Sequence, residues 1–175
     1  MCSSDLTRNS QLKPKKKRRK GGDKRLAEAV AMLNQGRVTD AETQVRAVLS
    51  QQPGHPEALH VLGVIALSCG HPGPAEELIR KATQLEPDNP SFHVNLGAAL
   101  AEQSKHEAAI HAYERATQLA PRLAEAHLRL GNLRGAMEDF EHAAASLTRA
   151  CKLEPSNVIR SEEHTSELQS PCNLV

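Results

Sequence analysis

The nine histidines offer the widest range of chemistry in this 175-residue sequence, because imidazole binds metals and transfers protons near neutral pH. A helical zinc site needs a pattern such as His-Glu-x-x-His, which places two histidines on one helix face beside an acid. His106 and His111 are five residues apart, and Glu141-His142 does not extend to that pattern. The cysteines form no Cys-x-x-Cys pair. We therefore expect no metal site and no cofactor, and we predict surface or half-buried positions for the histidines.

The remaining catalytic motifs are also missing from the sequence. The glycine-containing segment 70–74 lacks the lysine and hydroxyl side chains with which a phosphate loop holds nucleotide. A Gly-x-Ser-x-Gly pattern, which would expose a nucleophilic serine, does not occur. We therefore expect no catalytic residue in this sequence and predict that it is not an enzyme by itself.

A run of positive charge precedes residue 22. Its seven cationic side chains occupy eight positions: Lys13, Lys15, Lys16, Lys17, Arg18, Arg19 and Lys20. Like charges at this density repel one another, so we predict a disordered basic leader over residues 1–21. Such a run resembles a nuclear localisation signal or an arm that contacts phosphates without sequence preference. We favour a solvated leader over both, and we do not expect nucleic acid as the partner.

The strongest signal is a pattern that recurs every 34 residues. Gly63, Gly97 and Gly131 have this spacing, and each follows a leucine and precedes alanines by 12 and 19 residues. A large apolar residue lies between the two alanines, and prolines keep the same period: Ile79, Tyr113 and Leu147; Pro53, Pro87, Pro121 and Pro155. A period of this length predicts stacked supersecondary units instead of one globular core.

Each period has the features of two helices. Residues 57–69 are good helix formers with apolar residues at three- and four-residue spacing, and the segment Gly70-His-Pro-Gly73 predicts a stop. A second helix is predicted over residues 74–85, since Pro87 disfavours helical geometry at the residue before it. The glycine and alanine columns are expected to let the two helices approach closely. A unit of this kind cannot bury its apolar face alone, so neighbours must cover it.

These columns resemble the tetratricopeptide repeat family, whose pattern places Leu-Gly, an aromatic, Ala, a second aromatic and Pro at these offsets. The resemblance spans residues 22–157 in four units: 22–55, 56–89, 90–123 and 124–157. The first unit is weaker, with Ala29 in the glycine column. The family's first aromatic column holds Ala66, Leu100 and Arg134, and its tryptophan column holds Leu59, His93 and His127. The resemblance implies an all-α fold, a right-handed superhelix of four helix-turn-helix repeats.

The resemblance also implies that the first helix of each unit lines a concave groove. Side chains at i, i+3 and i+7 form one stripe on such a helix. The predicted peptide-binding groove consists of Glu57, His60, Val64, Leu67, Ser91, Val94, Asn95, Ala98, Glu125, Leu128, Arg129 and Asn132. These stripes are mainly apolar and small, which suits an extended peptide or an amphipathic helix. We therefore predict a protein-interaction scaffold whose partner is a protein or peptide.

A second hypothesis is that the array is the front of a larger transferase. Repeats that precede O-linked N-acetylglucosamine transferases carry an asparagine ladder, often as Asn-Leu-Gly-Asn. Here Asn95 supplies the first asparagine in one unit and Asn132 the second in the next, so the ladder is interrupted. In this alternative the chain belongs to a glycosyltransferase or sulfotransferase whose catalytic domain lies downstream.

Both ends of the sequence differ from the repeats. Residues 160–170 are similar to the in-frame translation of a common sequencing adapter, and residues 1–6 to its opposite strand. We interpret 1–6 and 160–175 as artefacts that flank a gene fragment, and 158–175 as a tail outside the array; the alternative is a polar tail. No apolar run approaches the roughly 20 residues of a membrane helix, so we expect a cytoplasmic protein without a membrane partner. A nuclear location follows only if the basic run is a signal.

Overall fold

The structure is a computed structural model that describes residues 19–154, with side chains from residue 22 onward. Within this range it consists of helices joined by short turns, and no β-strand is present. The helices are α1 Arg19–Asn34, α2 Val38–Gln51, α3 Pro56–Ser68, α4 Pro72–Leu85, α5 Pro90–Ala101, α6 His106–Leu119, α7 Ala124–Ala136 and α8 Phe140–Leu153. Each predicted unit contains two helices, which confirms the all-α repeat fold.

Helix starts follow the chemistry of the first turn. Helices α3, α4 and α5 each have proline in their first or second position, where the missing N–H would have no intrahelical partner. The predicted start of the second helix at Pro74 is two residues late, because α4 begins at Pro72. Both prolines fit in a first turn, so Gly73 belongs to the helix and not to the turn.

The beginning of α1 also differs from the prediction. A disordered leader was expected to extend to residue 21, whereas the helix begins at Arg19. Gly22 is buried within it, and a β-carbon on Gly22 would lie 3.5 Å from Val48 Cγ1. Packing of this glycine against α2 favours the helix despite the low helix propensity of the Gly21-Gly22 pair. Residues 1–18 of the predicted leader and the predicted tail, 158–175, lie outside the described residues.

One turn residue in every unit adopts left-handed backbone geometry. The φ angles are 75° at Gly36 and Gly70, 59° at Ser104 and 63° at Glu138. These four positions have the same 34-residue spacing as the other columns. Each ends the first helix of its unit and lets the chain reverse into the second. Only glycine adopts this geometry without a steric cost, so the third and fourth turns are strained relative to the first two.

Close contact between the two helices of a unit depends on the glycine column. A β-carbon on Gly63 would lie 2.5 Å from Ile79 Cγ1, and one on Gly97 would lie 2.6 Å from Tyr113 Cε1. At Gly131 the corresponding distance to Leu147 Cγ is 2.7 Å. The three glycines therefore have equivalent environments, each covered by the large apolar residue of the next helix. This confirms the close-packing role that the period predicts.

Curvature of the stack follows from which helices touch. Besides consecutive helices, α1 contacts α3, α3 contacts α5, and α5 contacts α7. No pair among α2, α4, α6 and α8 makes contacts of comparable extent in the described chain. The first helices therefore lie on the inside of the curve and the second helices on the outside.

A polar link on the edge of the stack joins the second and third units. Glu76 of α4 accepts hydrogen bonds from Lys105 at 2.7 Å and from Gln103 at 2.9 Å, and it pairs with Arg80 in its own helix. Gln103 also donates to the Pro72 carbonyl oxygen at 3.1 Å. The Lys105 ammonium, followed by the Arg80 guanidinium, lowers the pKa of Glu76 to about 2. Glu76 therefore stays ionised at neutral pH and links α4 to the turn between α5 and α6.

Replacing Gly97 by Ala should destabilise the array, because the added carbon meets ring atoms of Tyr113 that have little room to move. By analogy with overpacked cores, we expect a loss of about 1–3 kcal/mol in the free energy of unfolding, measured by urea titration. Gly73→Ala is the matched control, since nothing lies within 4 Å of its β-carbon. Equal stability of the two variants would contradict the contact.

Replacing Glu138 by Gly should stabilise the fourth turn, because glycine removes the steric cost of a positive φ. After the extra chain entropy of glycine, the expected net gain is about 0.5–1 kcal/mol in urea unfolding. The same change at Glu107, inside the first turn of α6, should instead cost stability. A loss at both positions would show that the turn is not strained.

Candidate functional site: the concave groove

The twelve predicted groove residues lie on α3, α5 and α7, the helices on the inside of the curve. Five of them are exposed: Glu57, Ser91, Glu125, Arg129 and Asn132. Six are half-buried: His60, Val64, Leu67, Asn95, Ala98 and Leu128. The twelfth, Val94, is buried. The inner surface thus has a partly covered apolar middle and a polar edge.

The column that contains His60, Val94 and Leu128 is used mainly for packing. Val94 is only 4% exposed and belongs to the largest apolar cluster, so it has little surface to offer a partner. Leu128 packs in part against Ala150 and Cys151 of α8. The accessible middle of the groove is therefore narrower than the sequence pattern suggests, and it is formed chiefly by the column of Val64, Ala98 and Asn132.

His60 connects the second and third units inside the groove. Its ring lies over Phe92 with the ring centroids 4.6 Å apart, and its Nε2 is 2.7 Å from Asn95 Nδ2. An amide nitrogen can only donate, so Nε2 must accept and the neutral ring carries its proton on Nδ1. Burial lowers the pKa of His60 to about 4. The imidazole is therefore uncharged at neutral pH, and it accepts one amide hydrogen of Asn95.

Acidic side chains lie along one rim of the groove. Glu57 and Glu125 occupy the second position of their units, and the 34-residue period places Asp23 in the same column of the first unit. Arg129 lies 3.5 Å from Glu125 in a pair that is about half exposed on both sides, so it adds little stability. The rim formed by these residues thus has a net negative charge.

The structure brings together one group of metal-ligating side chains that the sequence analysis missed. Asp23, His55 and Glu57 each offer a ligand atom, and these atoms lie within 4.8 Å of one another. His55 is 7% exposed; its Nε2 is 3.2 Å from Asp23 Oδ1, and its Nδ1 accepts from the Ala58 amide at 3.4 Å. The signal available in the sequence was the 34-residue step from Asp23 to Glu57, with a histidine two residues before the glutamate.

Other departures from the repeat pattern have structural explanations. In the tryptophan column, Nε2 of His93 and of His127 lies 2.8 and 3.2 Å from the carbonyl oxygens of Pro87 and Pro121. An N–H at Nε2 can donate to these carbonyls, so both histidines have a structural use. These contacts tie the start of each first helix to the preceding turn.

Arg134, in the family's aromatic column, forms ion pairs with Glu114 and Asp139 and is only 17% exposed. It lines an open cavity of about 450 Å³ on the outer side of α7, together with Glu114, Thr117, Gln118, His127, Leu130, Ala145, Ser146 and Arg149. The pairing compensates the charge of an arginine in a position that is usually apolar. This cavity lies apart from the predicted groove.

Geometry and period together define the class of this molecule, a stacked array of helical hairpins with an inner surface open to solvent. Tetratricopeptide repeat models match residues 22–100 and 124–157, and a TPR repeat model matches residues 97–138. These ranges leave no gap between residues 22 and 157. The chain belongs to the tetratricopeptide repeat family. No curated protein sequence matches it.

Solved structures with the same fold include several bacterial proteins. MamA from Desulfovibrio magneticus RS-1 is 24% identical with a TM-score of 0.68, over 77% of this chain and 76% of that one. A thermophilic TPR protein of Thermus thermophilus, TTC0263, is 21% identical with a TM-score of 0.71, over 83% and 92%. PilF of Pseudomonas aeruginosa is 25% identical with a TM-score of 0.75, over 80% and 64%.

Family and fold identify a protein-interaction scaffold. Tetratricopeptide arrays generally mediate contacts between proteins, and residues 22–154 consist of that repeat alone. None of the described helices is both long and apolar enough to cross a membrane. The general function, contact with other proteins, therefore follows from the family and the fold.

Acidification should weaken the array through His60. Because its folded pKa of about 4 is below the unfolded value of 6.5, its stabilising effect is complete above pH 6.5 and declines as the pH falls towards 4. Between pH 7 and pH 5 the free energy of unfolding should fall by about 2 kcal/mol more in the parent than in His60→Gln.

Urea titrations at both pH values measure this difference. His111→Gln is the control, because that side chain is 81% exposed. If the two substitutions change the pH dependence equally, His60 is not the group responsible.

Proposed function

We propose that this chain binds an extended peptide or an amphipathic helix in its concave groove. The observation that carries the proposal is the column of Val64, Ala98 and Asn132 on three successive inner helices. The first two are half-buried and the third is exposed, so the column changes from apolar to polar along the groove. Small side chains in such a column leave room for the anchors of a guest, and apolar contacts give such complexes their affinity.

The polar groups of the groove narrow the expected ligand further. Asn95 donates one of its two amide hydrogens to His60, so this part of its side chain is used within the protein. Asn132 is exposed and can both donate to and accept from a peptide backbone. The acidic rim disfavours an acidic guest, and Arg129 already lies beside Glu125. These features support a ligand with apolar anchors and no requirement for a free carboxylate.

The transferase alternative has one supporting observation. An O-GlcNAc transferase of Thermobaculum terrenum (a K341M mutant) is 28% identical with a TM-score of 0.73, over 77% of this chain. The match spans only 26% of that protein. Asn95 and Asn132 lie in different columns and different units, and the former is engaged by His60. The interrupted ladder makes this alternative weaker than a general peptide-binding scaffold.

Groove substitutions should weaken peptide binding without unfolding the protein. Peptides selected against the full chain from a random library are titrated by fluorescence anisotropy. Ala98→Arg and Asn132→Arg should each weaken binding about tenfold or more, because a long charged side chain fills the accessible column.

Ala108→Arg is the matched control, an exposed alanine on the outer helix α6, and it should leave the affinity unchanged. Circular dichroism checks that all three variants remain folded. Peptides that keep their affinity for both groove variants but lose it for the control would place the binding site on the outer surface.

A further inference from the structure

We propose that Asp23, His55 and Glu57 form a zinc site that joins the first and second units. The ligand atoms of the three side chains lie within 4.8 Å of one another, with 3.2 Å between His55 Nε2 and Asp23 Oδ1. Tetrahedral zinc holds nitrogen and oxygen ligands at about 2.0–2.2 Å, so its ligand atoms are about 3.4 Å apart. A modest inward movement of the exposed carboxylates would therefore complete the three protein ligands.

The ligand types favour zinc over a hard cation. One imidazole and two carboxylates match the donor preferences of zinc, whereas calcium and magnesium prefer oxygen ligands alone. Three protein ligands leave the fourth position of a tetrahedral ion for water or for a side chain of a partner. Asp23 is about half exposed, which leaves that position accessible from the groove rim.

The proton on His55 must move when zinc binds. Without metal, Nδ1 accepts from the Ala58 amide, so the neutral ring carries its proton on Nε2 and donates it to Asp23. Zinc takes the Nε2 lone pair, and the ring then carries its single proton on Nδ1. Zinc replaces the hydrogen bond between Nε2 and Asp23, and the long hydrogen bond from the Ala58 amide, at 3.4 Å, is lost because the Nδ1 proton would face that N–H. The imidazole must therefore turn slightly away from Ala58 when the metal binds.

The two carboxylates of the site themselves favour a cation. Two carboxylates face the site, and the neighbouring Lys24 is 82% exposed and lies 3.9 Å from Glu28, on the next turn of α1. The amino-terminal end of α3 opposes a positive ion, but its partial charge of about +0.5 is smaller than that of two carboxylates. His55 is itself nine-tenths buried, so its orientation is fixed by packing.

Comparison of equivalent positions shows that the site is specific to one boundary. The column of Asp23 and Glu57 continues as Ser91 and Glu125, so it loses its acid at the third unit, and the residues that correspond to His55 are Asn89 and Leu123. Neither of those later boundaries has an imidazole in this position. Zinc would therefore bind where α1 meets the start of α3 and would hold the first hairpin against the second.

The test uses the full chain after treatment with a chelator, titrated with zinc sulfate by calorimetry and by thermal unfolding. The parent should bind one zinc ion more than His55→Asn, and its melting midpoint should rise by several degrees while that of the variant does not. Asparagine is a preferred N-cap residue, so this variant keeps the start of α3 intact while it removes the ligand.

Asp23→Asn and Glu57→Gln should each weaken zinc binding about tenfold or more. Glu125→Gln, the same column in the last unit, should behave as the parent, and magnesium should not replace zinc. The proposal is overturned if His55→Asn binds zinc with the stoichiometry and affinity of the parent, or if zinc raises the midpoints of parent and variant equally. It is also overturned if the parent and His55→Asn bind the same number of zinc ions at millimolar zinc.

Discussion

The structure depends on one steric constraint, the distance at which the two helices of each hairpin pack. Gly63, Gly97 and Gly131 have no β-carbon, and a large apolar residue of the second helix lies where that carbon would be. This contact fixes the separation and rotation of the two helices. Because the second, third and fourth units share this contact, stacking repeats a similar rotation, and the inner helices meet while the outer ones stay apart. The groove is a geometric result of that repeated contact.

Packing between units limits what the groove can do. The column of His60, Val94 and Leu128 is used largely for packing: His60 contacts the next unit, Val94 belongs to the apolar cluster shared by several units, and Leu128 packs against α8 of its own unit. The surface available to a ligand is therefore narrower than one stripe per helix would provide. The same column contains the buried neutral imidazole of His60, which holds the amide of Asn95. Under the proposed peptide-binding function, stability of the stack and recognition of a partner would share this column, and substitutions in it would affect both.

The period alone was sufficient to predict the number of units, the two helices in each of them and the role of the glycines. These features are local or repeat at a fixed step, so one sequence shows them directly. The start of α1 at Arg19 was missed because burial of Gly22 against α2 outweighs propensity. The group of Asp23, His55 and Glu57 was missed for a related reason. Its members belong to different units, and only the three-dimensional stack brings them within reach of one another.

The candidate groove was predicted as a set of positions, and their exposure had to come from the structure. Val94 has the correct spacing for the inner stripe, but it is buried as a member of the apolar cluster to which helices α4 to α7 contribute. Arg134 shows the opposite case. A charged residue in an apolar column suggests a defect, yet Glu114 and Asp139 lie within ion-pair distance of it. Both outcomes depend on the identity of side chains in other helices, which a periodic pattern does not encode.

The left-handed turn residues differ between the two halves of the array, and so does the backbone strain in the turns. The first two hairpins reverse at Gly36 and Gly70, whereas the third and fourth reverse at Ser104 and Glu138. Strain in a turn is released only when that hairpin unfolds locally, so the third and fourth hairpins unfold at a lower free-energy cost than they would with glycine in the turn. For a peptide bound along the whole groove, as proposed, contacts with these two units would therefore open more often than the same contacts made on hairpins that reverse at glycine.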